Sequence, residues 1–210
     1  MKEKRKAKLN KVILRKTKEF VGQMFRNNGT NNKYFHNFTH TAEVVKVIDE
    51  IASALNINDE DREILSLAGW FHDVGYTECF DGHEDLGIEI ASNFLNSNDY
   101  PEAKVIKVAA LIRATQMPRK PKNLLEEIIC DADLHHLGIE EFSEKEKLFR
   151  NEVEKIKGHK INNEVWLKGN LDFMKNHKFF TKYAREKFGP QKNKNLNKVL
   201  QKLKKVEQDN

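Results

Sequence analysis

The chain has 210 residues, 39% hydrophobic and 33% charged, which suits a globular domain with a full core and many exposed helix faces. Four prolines and ten glycines are too few for a turn-rich β fold, and no apolar run approaches the roughly 20 residues of a membrane span. The net charge of +5 is uneven: residues 1–18 carry +8, residues 190–210 carry +4, and the stretch between carries −7.

No aromatic residues interleave with the terminal lysines, so both basic ends read as solvated helix faces and nucleic acid is not an expected partner. The basic start Met1-Lys2-Glu3-Lys4-Arg5-Lys6 lacks the apolar stretch of a secretion signal, and a cytoplasmic location is expected. There Cys79 and Cys130 would remain free thiols.

Leu9, Val12, Ile13, Phe20, Met24 and Phe25 recur at helical spacing and predict a first helix over about 5–27, ended by Asn27-Asn28-Gly29. A loop at 30–32 follows. A second helix carries Val44, Val47, Ile48, Ile51 and Leu55. Asn58 and Asp61 mark the start of a third, which runs to His72-Asp73 and stops at Gly75. Further helices are predicted at 81–96, from Pro101 to Ala114, from Leu124 to Leu137, at 143–157 and at 163–187. Phe188-Gly189-Pro190 is expected to break the pattern before an amphipathic terminal helix bearing Leu196, Val199, Leu200, Leu203 and Val206. The expected fold is all-α, a bundle of about eight helices with a basic C-terminal helix. Residues 1–28 would be a basic helix on the core, 29–189 the main domain, and 190–210 the terminal helix or tail.

Three segments carry ionisable residues where a core is expected. His36 and His40, four apart, share a face at the entry to the second helix. The run Leu65-Ser66-Leu67-Ala68-Gly69-Trp70-Phe71 delivers His72-Asp73 toward the interior. Asp131-Ala132-Asp133 follows the apolar Ile128-Ile129. Buried His and Asp must be hydrogen-bonded, paired or bound to a metal, since leaving them unsatisfied costs several kcal/mol. A cation compensates repelling carboxylates and explains the imidazoles as well, and a mixed nitrogen and oxygen set suits a divalent ion.

The order His40, His72-Asp73, Asp133 resembles the HD-domain superfamily of metal-dependent phosphohydrolases, above all its small stand-alone members. The resemblance extends over residues 34 to about 155, through His36-Asn37-Phe38-Thr39-His40, Phe71-His72-Asp73-Val74-Gly75-Tyr76, Gly82-His83-Glu84 and Cys130-Asp131-Ala132-Asp133-Leu134. It implies His40, His72, Asp73 and Asp133 as metal ligands, with Asp133 preferred over Asp131. His36 matches the position at which similar cyclic-nucleotide phosphodiesterases hold a general acid. His83 matches an added ligand of two-metal members, while Leu111-Ile112-Arg113-Ala114-Thr115 lacks their further His.

The resemblance therefore implies one firmly bound divalent ion (Mn, Mg, Fe, Ni, Co or Zn), with a second at His83 left open against phosphate contact or simple helix capping. Asp73 would also bridge to a second ion or orient the attacking water, and Arg113 is either a phosphate clamp through its fork of donors, ahead of Arg119 and Lys120, or an exposed helix-end cation. The expected activity is hydrolysis of a phosphomonoester or phosphodiester of a nucleotide or related small phosphate. A homo-oligomer is compatible with this reading, and a membrane partner is not expected. The rival readings are a di-iron oxygenase of the same fold, which needs two firmly held metals, and a non-catalytic nucleotide sensor.

Overall fold

The computed structural model describes residues 2–27 and 34–209, with side chains described from residue 11 onward; the expected cap at Gly29 and the loop at 30–32 lie outside them. Nine α-helices are found among the described residues, and no strand. They are α1 Lys2–Asn27, α2 Phe38–Ala54, α3 Asp59–Phe71, α4 His83–Ser97, α5 Glu102–Ala114, α6 Leu124–Asp133, α7 Phe142–Lys157, α8 Asn163–Asn176 and α9 Lys182–Gln208. Two short 3₁₀ turns, Val74–Thr77 and His135–Gly138, follow α3 and α6. No described helix is long and apolar enough to cross a membrane.

The chain divides into two compact units, Met1–Asn32 with His36–Asp133, and Lys33–Phe35 with Leu134–Asn210. In the first unit α3 is central and packs against α1, α2, α4, α5 and α6. Its sequence explains the placement. Asn58 accepts a hydrogen bond from the Asp61 backbone N–H at 3.0 Å and caps the helix, and Asp59, Glu60 and Asp61 complement the positive end of its dipole. Beyond that first turn the helix is apolar nearly all round, which suits burial on all sides. Ile64, Leu65, Leu67, Ala68 and Phe71 are fully buried, each large side chain removing roughly 1.5–3 kcal/mol of apolar surface from water. The Tyr100 hydroxyl donates to buried Glu63 at 2.6 Å, tying the polar end of α3 to the chain just before α5.

In the second unit α9 packs along α8 and along the 3₁₀ turn His135–Gly138. Leu134, Leu137, Phe142, Leu167, Leu171, Met174, Val199 and Leu203 form its core. Two boundaries differ here from the sequence expectation. The helix expected over 163–187 is two helices, because the backbone turns extended at His177 and Thr181 starts a new helix by accepting from the Ala184 N–H at 3.1 Å. The buried Lys192 ammonium donates to the His177 carbonyl and so satisfies the end of α8. The expected break at Pro190 does not occur, and α9 runs through it. Proline removes one intrahelical hydrogen bond. The buried face of Phe188, Lys192, Asn195, Val199 and Leu203 outweighs that loss. Asn195 adds two hydrogen bonds, to the carbonyls of Leu137 at 3.0 Å and Ile139 at 2.8 Å. The sixth helix likewise ends earlier than expected, at Asp133, and tightens into a 3₁₀ turn.

Candidate metal centre

The ends of three helices of the first unit converge on one point. Asn37 caps α2 by accepting from the His40 backbone N–H at 3.0 Å, which fixes His40 in the first helical turn. His72 caps the end of α3, Asp73 begins the following 3₁₀ turn, and Asp133 is the last residue of α6. His72 keeps helical backbone (φ −55°, ψ −37°) while Asp73 leaves it (φ −110°, ψ 5°), and this break lets the two adjacent side chains face the same point. On a continuous α-helix neighbouring side chains diverge by about 100°.

His40 Nε2 lies 3.2 Å from Asp133 Oδ1 and 3.4 Å from Asp73 Oδ2. His72 Nε2 lies 3.0 Å from Asp73 Oδ2 and 3.4 Å from Asp133 Oδ1. All four residues are buried, and one donor atom from each lies within 4.8 Å of all the others. Asp131, also buried, is not in this group, so geometry separates the two aspartates of the Asp-Ala-Asp run.

The arrangement fits a divalent ion. Donors about 2.1 Å from a metal stand about 3.0 Å apart in octahedral and about 3.4 Å apart in tetrahedral coordination, the same range as the four separations above. The ring of His72 is oriented by its Nδ1, which donates to the Gly69 carbonyl at 2.8 Å and leaves the Nε2 lone pair directed at the cluster. His72 Nε2 and Asp73 Oδ2 are fully buried, and neither makes a hydrogen bond of acceptable geometry. Buried polar atoms left so are costly unless an ion satisfies them.

Without an ion the cluster holds protons instead. Burial by itself would lower the pKa values of His40 and His72, but the carboxylates of Asp73 and Asp133 outweigh it and carry both above the ordinary 6.5. Burial would raise Asp73 and Asp133, but the facing imidazoles hold Asp73 well below 3.8, and the Arg119 guanidinium, followed by the imidazoles, does the same for Asp133.

A stack of three rings lies beside the cluster. Tyr76 is sandwiched between His36 and His83, with ring centroids 3.8 Å apart on each face. The His36 ring stands 6.0 Å from that of His40. His83 Nδ1 donates to the Phe80 carbonyl at 2.9 Å, and its Nε2 lies 3.3 Å from Glu84 Oε1 and 4.0 Å from Asp73 Oδ1. Gly75 makes this approach feasible, because a Cβ there would sit 2.1 Å from the His83 carbonyl oxygen. The structure thus brings His36 and His83 to the flank of the four-residue cluster. Arg113 is exposed and paired with Asp85, outside that cluster.

Two residues of the site carry more than their sequence context indicated. Tyr76 closes the run His72-Asp73-Val74-Gly75-Tyr76, and its position three residues after Asp73 places it one short turn beyond a cluster residue. Arg119, a phosphate candidate by its sequence position, donates to Asp133 Oδ2 and to the Cys130 carbonyl at 2.9 Å, and its Nε to the Thr115 carbonyl at 3.0 Å. No local pattern links residue 119 to residue 133, because the link depends on the path of the loop between α5 and α6.

Residues 37–138 match the family model described as HD domain. No curated protein matches the chain at a significant level. A solved structure, the predicted HD superfamily hydrolase from an uncultured Thermotogales bacterium, is similar in fold, with a TM-score of 0.57 and 20% identity over 93% of this chain and 92% of that one. The family match spans the segment that supplies His40, His72, Asp73 and Asp133, and the whole-chain likeness is one of helical fold. The likeness to the HD domain family is thus carried by residues 37–138, the segment that holds the buried cluster.

Proposed function

We propose that this chain is a metal-dependent phosphohydrolase acting on a phosphate ester of a nucleotide or related small molecule. One observation carries the reading: two imidazoles and two carboxylates, all buried, converge within 4.8 Å in the family's order. His40, His72, Asp73 and Asp133 would hold the ion. A divalent ion bound there supplies a Lewis acid and an acidified water.

The remaining work falls to the chain. Asp73 contributes Oδ2 to the cluster and turns Oδ1 outward toward His83, where it can accept a proton from an attacking water. His36, held flat against Tyr76, is the candidate acid for the leaving oxygen. With Nδ1 donating to the Phe80 carbonyl, His83 presents the Nε2 lone pair toward the same edge, where it is suited to hold a second ion or accept a hydrogen bond from a bound water. Burial of the cluster lowers the local dielectric and strengthens each of these interactions.

The test is a panel of nucleotides, cyclic nucleotides and sugar phosphates with Mn²⁺, Mg²⁺, Co²⁺ or Ni²⁺, with metal content measured on the same sample. At least one ester should be turned over, with about one ion per chain. His72→Ala and Asp73→Ala should each lower the rate by at least about a thousandfold. A folded double variant with full activity would disprove the assigned site, and two irons per chain after anaerobic isolation would turn the reading toward oxygenation.

A further inference from the structure

Asp133 uses its two oxygens differently. Oδ1 faces the imidazole Nε2 atoms of His40 and His72, whereas Oδ2 is engaged by the Arg119 guanidinium. Both side chains of this ion pair are only 10% exposed. Arg119 is itself held at three points, by the carbonyls of Thr115 and Cys130 as well as by Asp133. A guanidinium anchored this way does not swing away cheaply, since release would strand buried acceptors.

The consequence lies in how Asp133 can bind an ion. With Oδ2 occupied, it offers one oxygen only. Small first-row ions and Mg²⁺ accept single-oxygen carboxylates in octahedral or tetrahedral sets, whereas Ca²⁺ gathers six to eight oxygens and draws on two-oxygen carboxylates to do so. We infer that Arg119 is a positioning residue that holds Asp133 to one-oxygen coordination and thereby selects the metal, disfavouring Ca²⁺. The two imidazoles already disfavour that ion, and Arg119 adds a geometric barrier to the chemical one. This inference rests on the cluster being a metal site, and it is independent of the substrate.

The probe is a competition titration without substrate, in which Ca²⁺ displaces Mn²⁺ followed by its electron paramagnetic resonance signal. Removing the guanidinium also removes a positive charge near the ion. Mn²⁺ and Ca²⁺ carry the same charge, so that effect cancels in the ratio of their affinities while the geometric effect remains. In Arg119→Gln the ratio should move toward Ca²⁺ by about tenfold. Arg119→Lys keeps the charge without the three-point fork, so it should move the ratio in the same direction by less.

Loss of a merely structural tie would lower the melting temperature without changing the ratio. Circular dichroism identifies the folded variants, and Arg119→Lys carries the test if Arg119→Gln does not fold. A folded variant that binds Mn²⁺ with an unchanged ratio overturns the inference alone. A wild-type chain that binds neither ion overturns the metal site and the inference together.

Discussion

Tyr76 illustrates how much of this site depends on single side chains. Its ring has an imidazole on each face, and both imidazoles flank the buried cluster. Aromatic pairs of this kind contribute about 0.5–1.5 kcal/mol beyond the area they bury. The larger effect should be on orientation, because a proton donor must lie within hydrogen-bond reach of the atom it serves. Tyr76→Phe keeps both stacked faces and should retain most activity on whichever ester the substrate panel identifies. Tyr76→Leu removes the stack and should lower kcat by about 10–100-fold with KM little changed. Equal activity in the two variants would remove any role for the stack.

Arg119 makes the same point about polar groups. Its sequence neighbours describe a basic, proline-flanked loop, and nothing in Pro118-Arg119-Lys120-Pro121 points to a carboxylate fourteen residues on.

At the scale of elements, the site is assembled from helix ends. The first turn of α2, the exit of α3 and the last residue of α6 each contribute, and the 3₁₀ turn Val74–Thr77 brings in the start of α4. Gly75 is the hinge of this arrangement. In Gly75→Ala the new methyl would collide with the His83 backbone, so α4 must move away from the cluster. The expected loss of stability is at least about 1–3 kcal/mol, read by thermal or chemical denaturation, and metal affinity should fall with it. An alanine variant as stable as the parent would mean that the turn relaxes freely.

The helices themselves were largely legible, since their apolar spacing and the Asn58 cap are local signals. The misjudged boundaries were those where local signals conflict with packing. Pro190 reads as a helix breaker, yet the buried face from Phe188 to Leu203 carries α9 through it. Thr181 reads as one more polar residue in a helical stretch, yet its hydroxyl starts a new helix.

For the whole molecule, the cluster links stability to pH and to metal. His40 and His72 have raised pKa values in the metal-free chain. Their contribution to stability is therefore complete below 6.5 and is lost as pH rises through the raised values. Asp73 and Asp133 have lowered values, so their contribution is complete above 3.8 and is lost as pH falls through the lowered ones. A metal ion needs both imidazoles deprotonated, and its binding releases their protons. The rise in melting temperature on adding Mn²⁺ should accordingly be larger at about pH 8 than at about pH 6. A rise that is equal or larger at the lower pH would show that the ion binds elsewhere.

Taken alone, the sequence determined that this chain is helical, that residues 37–138 resemble an HD domain, and which residues could meet at a metal. Those conclusions depend on helical periodicity, on a few capping residues and on the order of His40, His72-Asp73 and Asp133, all of which are written along the chain. The tertiary structure decided which oxygens face the cluster, that Asp133 and not Asp131 belongs to it, and that Tyr76 and Arg119 support it. These facts concern atoms from helices and loops far apart in the chain. Their meeting is set by the packing of α3 against its neighbours and by the room left at Gly75. Residue spacing encodes the periodicity of one element, while the approach of two elements depends on every side chain packed between them.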